Sequence, residues 1–117
     1  MNNKGKLWEI EACNFLRKKK YKLITANYTT RFGEIDLIVE NKKYICFVEV
    51  KQRDKSSIAK PSEFVDKRKQ DKIIKSAMLY MSQYHLEKQP RFDVVEIYTQ
   101  EGEIKSIKHL ENAFELY

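Results

Sequence analysis

The sequence predicts an α/β domain, a central mixed β-sheet with helices packed on it, in the order αβββαββ. Three observations predict it. Two segments, Leu7 to about Lys20 and about Glu63 to Lys88, repeat apolar residues at helical spacing. The stretches between and after them either alternate like half-buried strands or run apolar on both faces. Finally, two prolines and three glycines leave little room for a linker, so the 117 residues form one domain over 1–117.

The first helix carries Trp8, Ala12, Phe15 and Leu16 on one arc, together with Glu9 and Cys13. Its last turn, Arg17-Lys18-Lys19-Lys20, complements the negative end of the helix dipole. Tyr21 to Thr30 is β-branched and aromatic, and Arg31-Phe32-Gly33 turns the chain. In Glu34 to Glu40, alternation puts Ile35, Leu37 and Val39 on one face and Glu34, Asp36 and Ile38 on the other. Asn41-Lys42-Lys43 supplies a hairpin turn into Tyr44–Lys51, which reads as a central strand. Ser56 to Ser62, with Pro61, is a polar loop. The second helix places Ile73, Ala77, Met78, Met81 and Tyr84 along one stripe, with Tyr80, Met81 and Tyr84 expected in the core. Phe92 to Tyr98 is a strand, and Glu101-Gly102 turns into a last one from Ile104 to about Ile107. The first three strands should form an antiparallel meander.

Lysine and arginine number 23 against 17 aspartates and glutamates, a net charge of +6. The distribution is uneven. Residues 1–33 hold eight basic and two acidic groups, and residues 51–75 hold nine and four. Between them, residues 34–50 hold two basic and four acidic groups. Basic flanks suit a polyanion, because lysine and arginine release counterions from phosphates. No apolar run is long enough for a membrane helix, and Cys13 and Cys46 are too few for a disulfide scaffold. A cytoplasmic protein without a membrane partner is expected. Neither cysteine has a neighbouring histidine in sequence, His85 and His109 stand isolated, and no zinc site is expected.

The acidic island lies on two strands expected to pair across Asn41: Asp36 on the first, Glu49 and Lys51 on the second. Two carboxylates about 4 Å apart repel by roughly 4 kcal/mol at an effective dielectric near 20. Lys51 offsets part of that; a proton or a hard cation removes the rest. Oxygen-only ligands suit Mg²⁺ or Mn²⁺, completed by water and a phosphate oxygen. The same residues also fit an ordinary cross-strand ion-pair ladder worth roughly 0.2–1 kcal/mol per pair. Glu9, in the middle of an apolar helical arc, needs a partner, either this pocket or a backbone hydrogen bond. Lys67, Arg68, Lys69 and Lys72 either line a nucleic-acid groove or form a solvated face, and Gln70 either reaches the pocket or caps its rim.

Gly33-Glu34-Ile35-Asp36-Leu37-Ile38, followed by Phe47-Val48-Glu49-Val50-Lys51-Gln52-Arg53, resembles the bacterial YraN-like family. The likeness continues through Gly5 to Leu16, Val65 to Ala77, Arg91-Phe92-Asp93-Val94-Val95 and Asn112-Ala113-Phe114, and so covers nearly the whole chain. That family is a largely uncharacterised group of the restriction-endonuclease-like PD-(D/E)XK superfamily, similar to archaeal Holliday junction resolvases. The resemblance implies a restriction-endonuclease-like core and a metal-dependent nuclease acting on DNA, branched or structured DNA included, with a homodimer by analogy. It implies Asp36 and Glu49 as metal ligands and Lys51 as the group that orients or activates the attacking water. It also implies Glu9 as the assisting helix acid and third metal ligand, and Glu34 as a supporting carboxylate. Arg53 is the expected phosphate contact, with Arg31, Lys67, Lys69 and Gln70 as further nucleic-acid contacts. One departure is Trp8, where the family usually has glycine before the helix glutamate. The alternative is a non-catalytic nucleic-acid-binding module on the same fold.

Overall fold

The computed structural model describes residues 4–54, 65–84 and 87–115. Helix α1 (Lys4–Lys18) is followed by strands β1 (Lys22–Thr30), β2 (Gly33–Glu40) and β3 (Tyr44–Asp54). Then come helix α2 (Lys67–Tyr84) and strands β4 (Gln89–Gln100) and β5 (Glu103–Phe114). The order is the expected αβββαββ, in one five-stranded sheet arranged β1-β2-β3-β4-β5. The first three strands form the antiparallel meander. β4 runs parallel to β3 and β5 antiparallel to β4, so the sheet is mixed. A parallel pair cannot be closed by a hairpin, and α2 lies within the crossover that joins β3 to β4.

Local chemistry sets the boundaries. α1 ends two residues before Lys20, because Lys20 adopts a left-handed φ of 73°. The Tyr21 N–H donates back to the Leu16 carbonyl at 3.1 Å and the Lys20 N–H to that of Arg17 at 3.0 Å. Leu16 and Tyr21 share one apolar cluster, which completes the helix-stop motif. In the β2–β3 turn, the Asn41 side-chain oxygen accepts the N–H groups of Lys43 (2.9 Å) and Tyr44 (2.8 Å). Glu101 and Gly102, with φ of 52° and 80°, make the two-residue turn between Gln100 and Glu103.

The second helix is shorter than the periodicity predicts. Asp66 caps it: its carboxylate accepts the Lys69 N–H at 2.8 Å and its carbonyl the Gln70 N–H at 2.9 Å. Glu63, like the expected loop Ser56–Ser62, lies outside the described residues, as does His85. At the far end Lys88 is bound to the Glu40 carboxylate and to the Asn41 carbonyl, not to a helix. β4 and β5 both extend beyond their expected ends. β5 pairs on one side only and is exposed along most of its length, so no alternation marks it in the sequence.

The sheet separates two apolar clusters. Ala12, Leu16, Leu37, Val39, Cys46 and Val48 gather with α1, whereas Ile38, Ile45, Phe47, Ile73, Ala77 and Tyr80 gather with α2. β3 therefore feeds both sides alternately, as a central strand must. Each fully buried leucine, isoleucine or phenylalanine contributes about 1.5–3 kcal/mol. Two expectations are corrected here. Met78 and Tyr84 are not core: they are 38% and 53% exposed, and the buried α2 stripe is Ile73, Ala77 and Tyr80. Ile35 packs with Ile38 in the α2 cluster and not with Leu37 and Val39. The alternation breaks at Asp36, where the ladder to β3 has stopped at Leu37–Val48 and the Asp36 carboxylate itself accepts the Val50 N–H at 2.8 Å.

Among the described residues no helix is long and apolar enough to cross a membrane. Cys13 and Cys46 are both buried free thiols.

Candidate functional site

The break in β2 has a chemical consequence. Glu34 and Asp36, together with Glu9 from α1, bring carboxylate oxygens within 4.8 Å of one another. Opposite Asp36 on β1, Asn27 adopts a left-handed φ of 54°, a conformation asparagine tolerates better than most residues. Its side chain hydrogen-bonds Glu9. So one acid comes from a helix, two come from an irregular strand, and a β1 amide orients the helix acid.

Burial first, then the field of Glu49, pushes the Asp36 carboxyl up from its ordinary 3.8 to about 7, against the Val50 N–H that favours its charge. Glu9 is raised too, by burial and by Glu34, with the Asn27 hydrogen bond working the other way. Glu49 is buried, at 5% exposure, and its carboxylate receives the Lys69 ammonium at 2.7 Å. Burial opposes the Lys69 charge, yet the Glu49 hydrogen bond and field more than offset it and raise its pKa.

The structure thus brings Asp36, Glu49, Glu9 and Glu34 into one electrostatic neighbourhood. Lys51 follows Glu49 by two positions along β3. Among the described residues Lys51 forms no ion pair with Asp36 or Glu49; it lines a cavity of about 230 Å³ with Arg53, Gln70 and Glu96. The ammonium that meets Glu49 is Lys69, for which the basic run of α2 suggests either a nucleic-acid groove or a solvated face. The Arg53 guanidinium donates through Nε to Glu96 at 2.6 Å. The Gln70 amide donates to the Val65 carbonyl at 2.8 Å, and its side chain lines the Lys51 cavity, which holds none of the four acids. Arg31 stacks over the Phe32 ring at 4.9 Å, with Lys75 near the same ring at 5.7 Å. Lys67 pairs with Asp71 at 3.2 Å on the exposed helix face.

The first turn of α2 is electrostatically unusual. Lys67, Arg68 and Lys69 stand at the positive end of the helix dipole, where acids are normally favoured, and no acid lies in that turn. Arg68, Lys69 and Lys72 line a cavity of about 290 Å³ that also holds Glu34, so cations and the carboxylate cluster share one opening. Such a concentration of positive potential beside acids suits a phosphate-bearing ligand. Removing the cap tests how α2 holds Lys69. Asp66→Ala is expected to cost about 1 kcal/mol by urea denaturation. A loss below a few tenths would show that Asp66 does not set the helix start.

A second polar cluster, which sequence reasoning missed, lies within the fold. Asp93 is fully buried and accepts two bonds from Arg91 (2.9 and 2.7 Å), one from His109 (2.7 Å) and the Asn112 N–H (3.0 Å). His109 is therefore not isolated. Lys19 meets its other nitrogen at 2.6 Å, so Nε2 carries the hydrogen that Asp93 receives. The only sequence signal was an aspartate amid the apolar run of β4.

The sequence model of the uncharacterised protein family UPF0102 matches residues 8–97. A UPF0102 protein of Caldanaerobacter subterraneus is 41% identical over 113 residues, covering 94% of this chain and 93% of the relative. UPF0102 proteins of Syntrophomonas wolfei and Clostridioides difficile are each 42% identical, over 97% of this chain and 100% of their own length.

Proposed function

We propose, from the premise that this chain belongs to the uncharacterised protein family UPF0102, that it is a divalent-metal-dependent nuclease of the PD-(D/E)XK superfamily acting on DNA, structured or branched DNA included. The observation that carries the reading is the meeting of Glu9, Glu34 and Asp36 beside a helix start crowded with cations. The donor set fits Mg²⁺ or Mn²⁺: three carboxylates with no thiolate or imidazole among them, one of them strongly driven to shed its charge. Glu9, Glu34 and Asp36 would hold the ion, with Glu49 adjacent. When bound, it supplies Lewis-acid polarisation of the phosphate and a lower pKa for attacking water.

The remaining work falls to the chain. The Val50 N–H fixes the Asp36 carboxylate, and Asn27 fixes that of Glu9. Lys69 neutralises Glu49 and carries positive charge to the rim, where Arg68 and Lys72 receive the polyanion. We assign the charge-balancing role beside Glu49 to Lys69. Lys51, with Gln70, is left to orient a group entering its own cavity. We place such an enzyme in the cytoplasm, since both thiols are free. A homodimer would set two sites on one branched substrate.

A second reading, a nucleic-acid-binding module without turnover, is favoured by two observations: Lys69 already satisfies Glu49, and among the described residues Lys51 forms no ion pair with either acid. One experiment separates the two. Wild type and Asp36→Asn are incubated with linear, single-stranded and branched DNA in Mg²⁺, Mn²⁺ or EDTA. The nuclease reading expects metal-dependent cleavage that Asp36→Asn lowers about a hundredfold or more, which is about 3 kcal/mol of transition-state stabilisation. Salt-sensitive binding without cleavage in any metal would establish the second reading. Equal cleavage by both variants would remove this site from the chemistry.

A further inference from the structure

The acid cluster opens on a second side that the proposed function does not use. Between α1 and β1 runs a groove of about 390 Å³ whose inner end holds Glu9 and Asn27. Lys6, Ile10, Asn14 and Arg17 form one of its walls, all on one stripe of α1, since positions four, eight and eleven residues apart recur on the same helix face. Lys6 and Arg17 stand about 16 Å apart along the axis. The Lys6 charge acts on the Glu9 carboxylate in the same groove, and neither Lys6 nor Arg17 forms a salt bridge within 4.0 Å among the described residues. Ile10 is 57% exposed, an apolar side chain left facing solvent, and Leu23 and Ala26 of β1 continue that apolar lining.

We infer that this groove seats a short unpaired DNA strand, with a base against Ile10 and Ala26 and the sugar-phosphate backbone along Lys6 and Arg17. The inference deepens the reading of the neighbouring acids as a nucleic-acid site and rests on it. Three features select this occupant. Two exposed-rim cations without a close salt bridge, spread over a span of several nucleotides, complement a phosphate chain. An apolar surface between them complements the face of a base, and the Asn14 and Asn27 amides offer donors and acceptors to its edge. The Glu9 end joins the groove to the carboxylates, so a strand lying in it leads to them. A base in an intact duplex would first have to leave its stack, so the groove favours unpaired DNA such as a single strand, flap or branch point.

The test is fluorescence-anisotropy binding of a short labelled oligothymidylate, and of a duplex of the same length, to the full chain in EDTA. Working without metal keeps binding separate from cleavage. Lys6→Glu/Arg17→Glu is expected to weaken single-strand binding about tenfold or more and to flatten the salt slope by about 1.4, the share of two phosphate contacts. Ala26→Phe fills the groove from an exposed strand position without changing charge. It is expected to weaken single-strand binding about tenfold while melting and circular dichroism stay unchanged. Lys105→Glu/Lys108→Glu on β5 makes the same charge change elsewhere and should retain most of the affinity. The inference is overturned if the α1 and β5 pairs behave alike, if a folded Ala26→Phe binds normally, or if the duplex binds as well as the single strand. Any of these outcomes alongside intact metal-dependent cleavage would remove the groove and leave the nuclease. Loss of binding in the groove variants of a protein that never cleaves would keep the groove and remove the nuclease.

Discussion

Arg91→Met is expected to cost about 3–5 kcal/mol in urea denaturation, a third or more of the stability of an ordinary domain. Arg91 gives two hydrogen bonds to Asp93 and one to the Tyr21 hydroxyl at 2.5 Å, and its guanidinium lies over the Tyr44 ring at 4.7 Å. Burial works against the Asp93 charge, but bonds from His109, Arg91 and the Asn112 N–H hold its carboxyl below the usual range. Taking Arg91 away leaves a carboxylate with no exposure and half of its donors gone. The cost is mainly that of the stranded charge, so Arg91→Met/Asp93→Asn should recover part of it, with a coupling of at least about 1 kcal/mol. The amide keeps an acceptor for Asn112 and carries no charge. If Arg91→Met cost less than about 1 kcal/mol, the network would not be holding Asp93 as an ion.

The second large effect is a pH dependence centred on Asp36. Its carboxyl titrates near 7 in the fold and near 3.8 as an ordinary group, so between those values the native state holds a proton that the unfolded chain has released. Stability therefore falls as pH rises through that window and levels off above it. Because Asp36 is partly exposed, solvent screening reduces the effect to roughly 1–3 kcal/mol. Asp36→Asn retains an acceptor for the Val50 N–H and removes the charge, so it should be more stable than wild type at pH 8 and equal to it near pH 4. Mn²⁺ should reverse the ranking at pH 8. An ion that binds only the folded wild type at a hundred times its dissociation constant adds about 2.7 kcal/mol, and the variant should gain far less. Urea curves at the two pH values, with and without Mn²⁺, and calorimetry of Mn²⁺ binding decide it. A flat pH profile for wild type, or equal metal response in both proteins, would show that these acids neither crowd nor cooperate.

Much of the architecture was legible because it rests on local rules. The apolar arc of α1, the both-sided burial of Tyr44–Val48 and the Asn41 turn each depend on residues close in sequence. Asp36 and Glu49 stood out because charge interrupts strands that are otherwise apolar. What stayed hidden depends on distance or on a broken rule. The Lys69–Glu49 pair joins α2 to β3, and no pattern within either segment announces it. Strict alternation puts Ile35 beside Leu37 and Val39, and it fails where Asp36 replaces a ladder bond with its own side chain. That same dislocation turns Glu34 and Asp36 toward Glu9, so the position that defeats the period is the one that builds the site. β5 was underestimated because an exposed edge strand has no buried face to read. His109 escaped notice because its partner, Asp93, lies on another strand.

The order of the sheet also bears on how the chain matures during synthesis. β1, β2 and β3 pair through successive hairpins, so their contacts close early and at little entropic cost. β4 must instead reach back past α2 to lie against β3, matching Gln89 with Tyr44. A nascent chain that has emerged only through β3 already owns Glu9, Glu34, Asp36 and Glu49, yet lacks Lys69. Its acids stand without their cation until translation has delivered α2, and the bare flank of β3 invites a chaperone or a stray strand until β4 arrives.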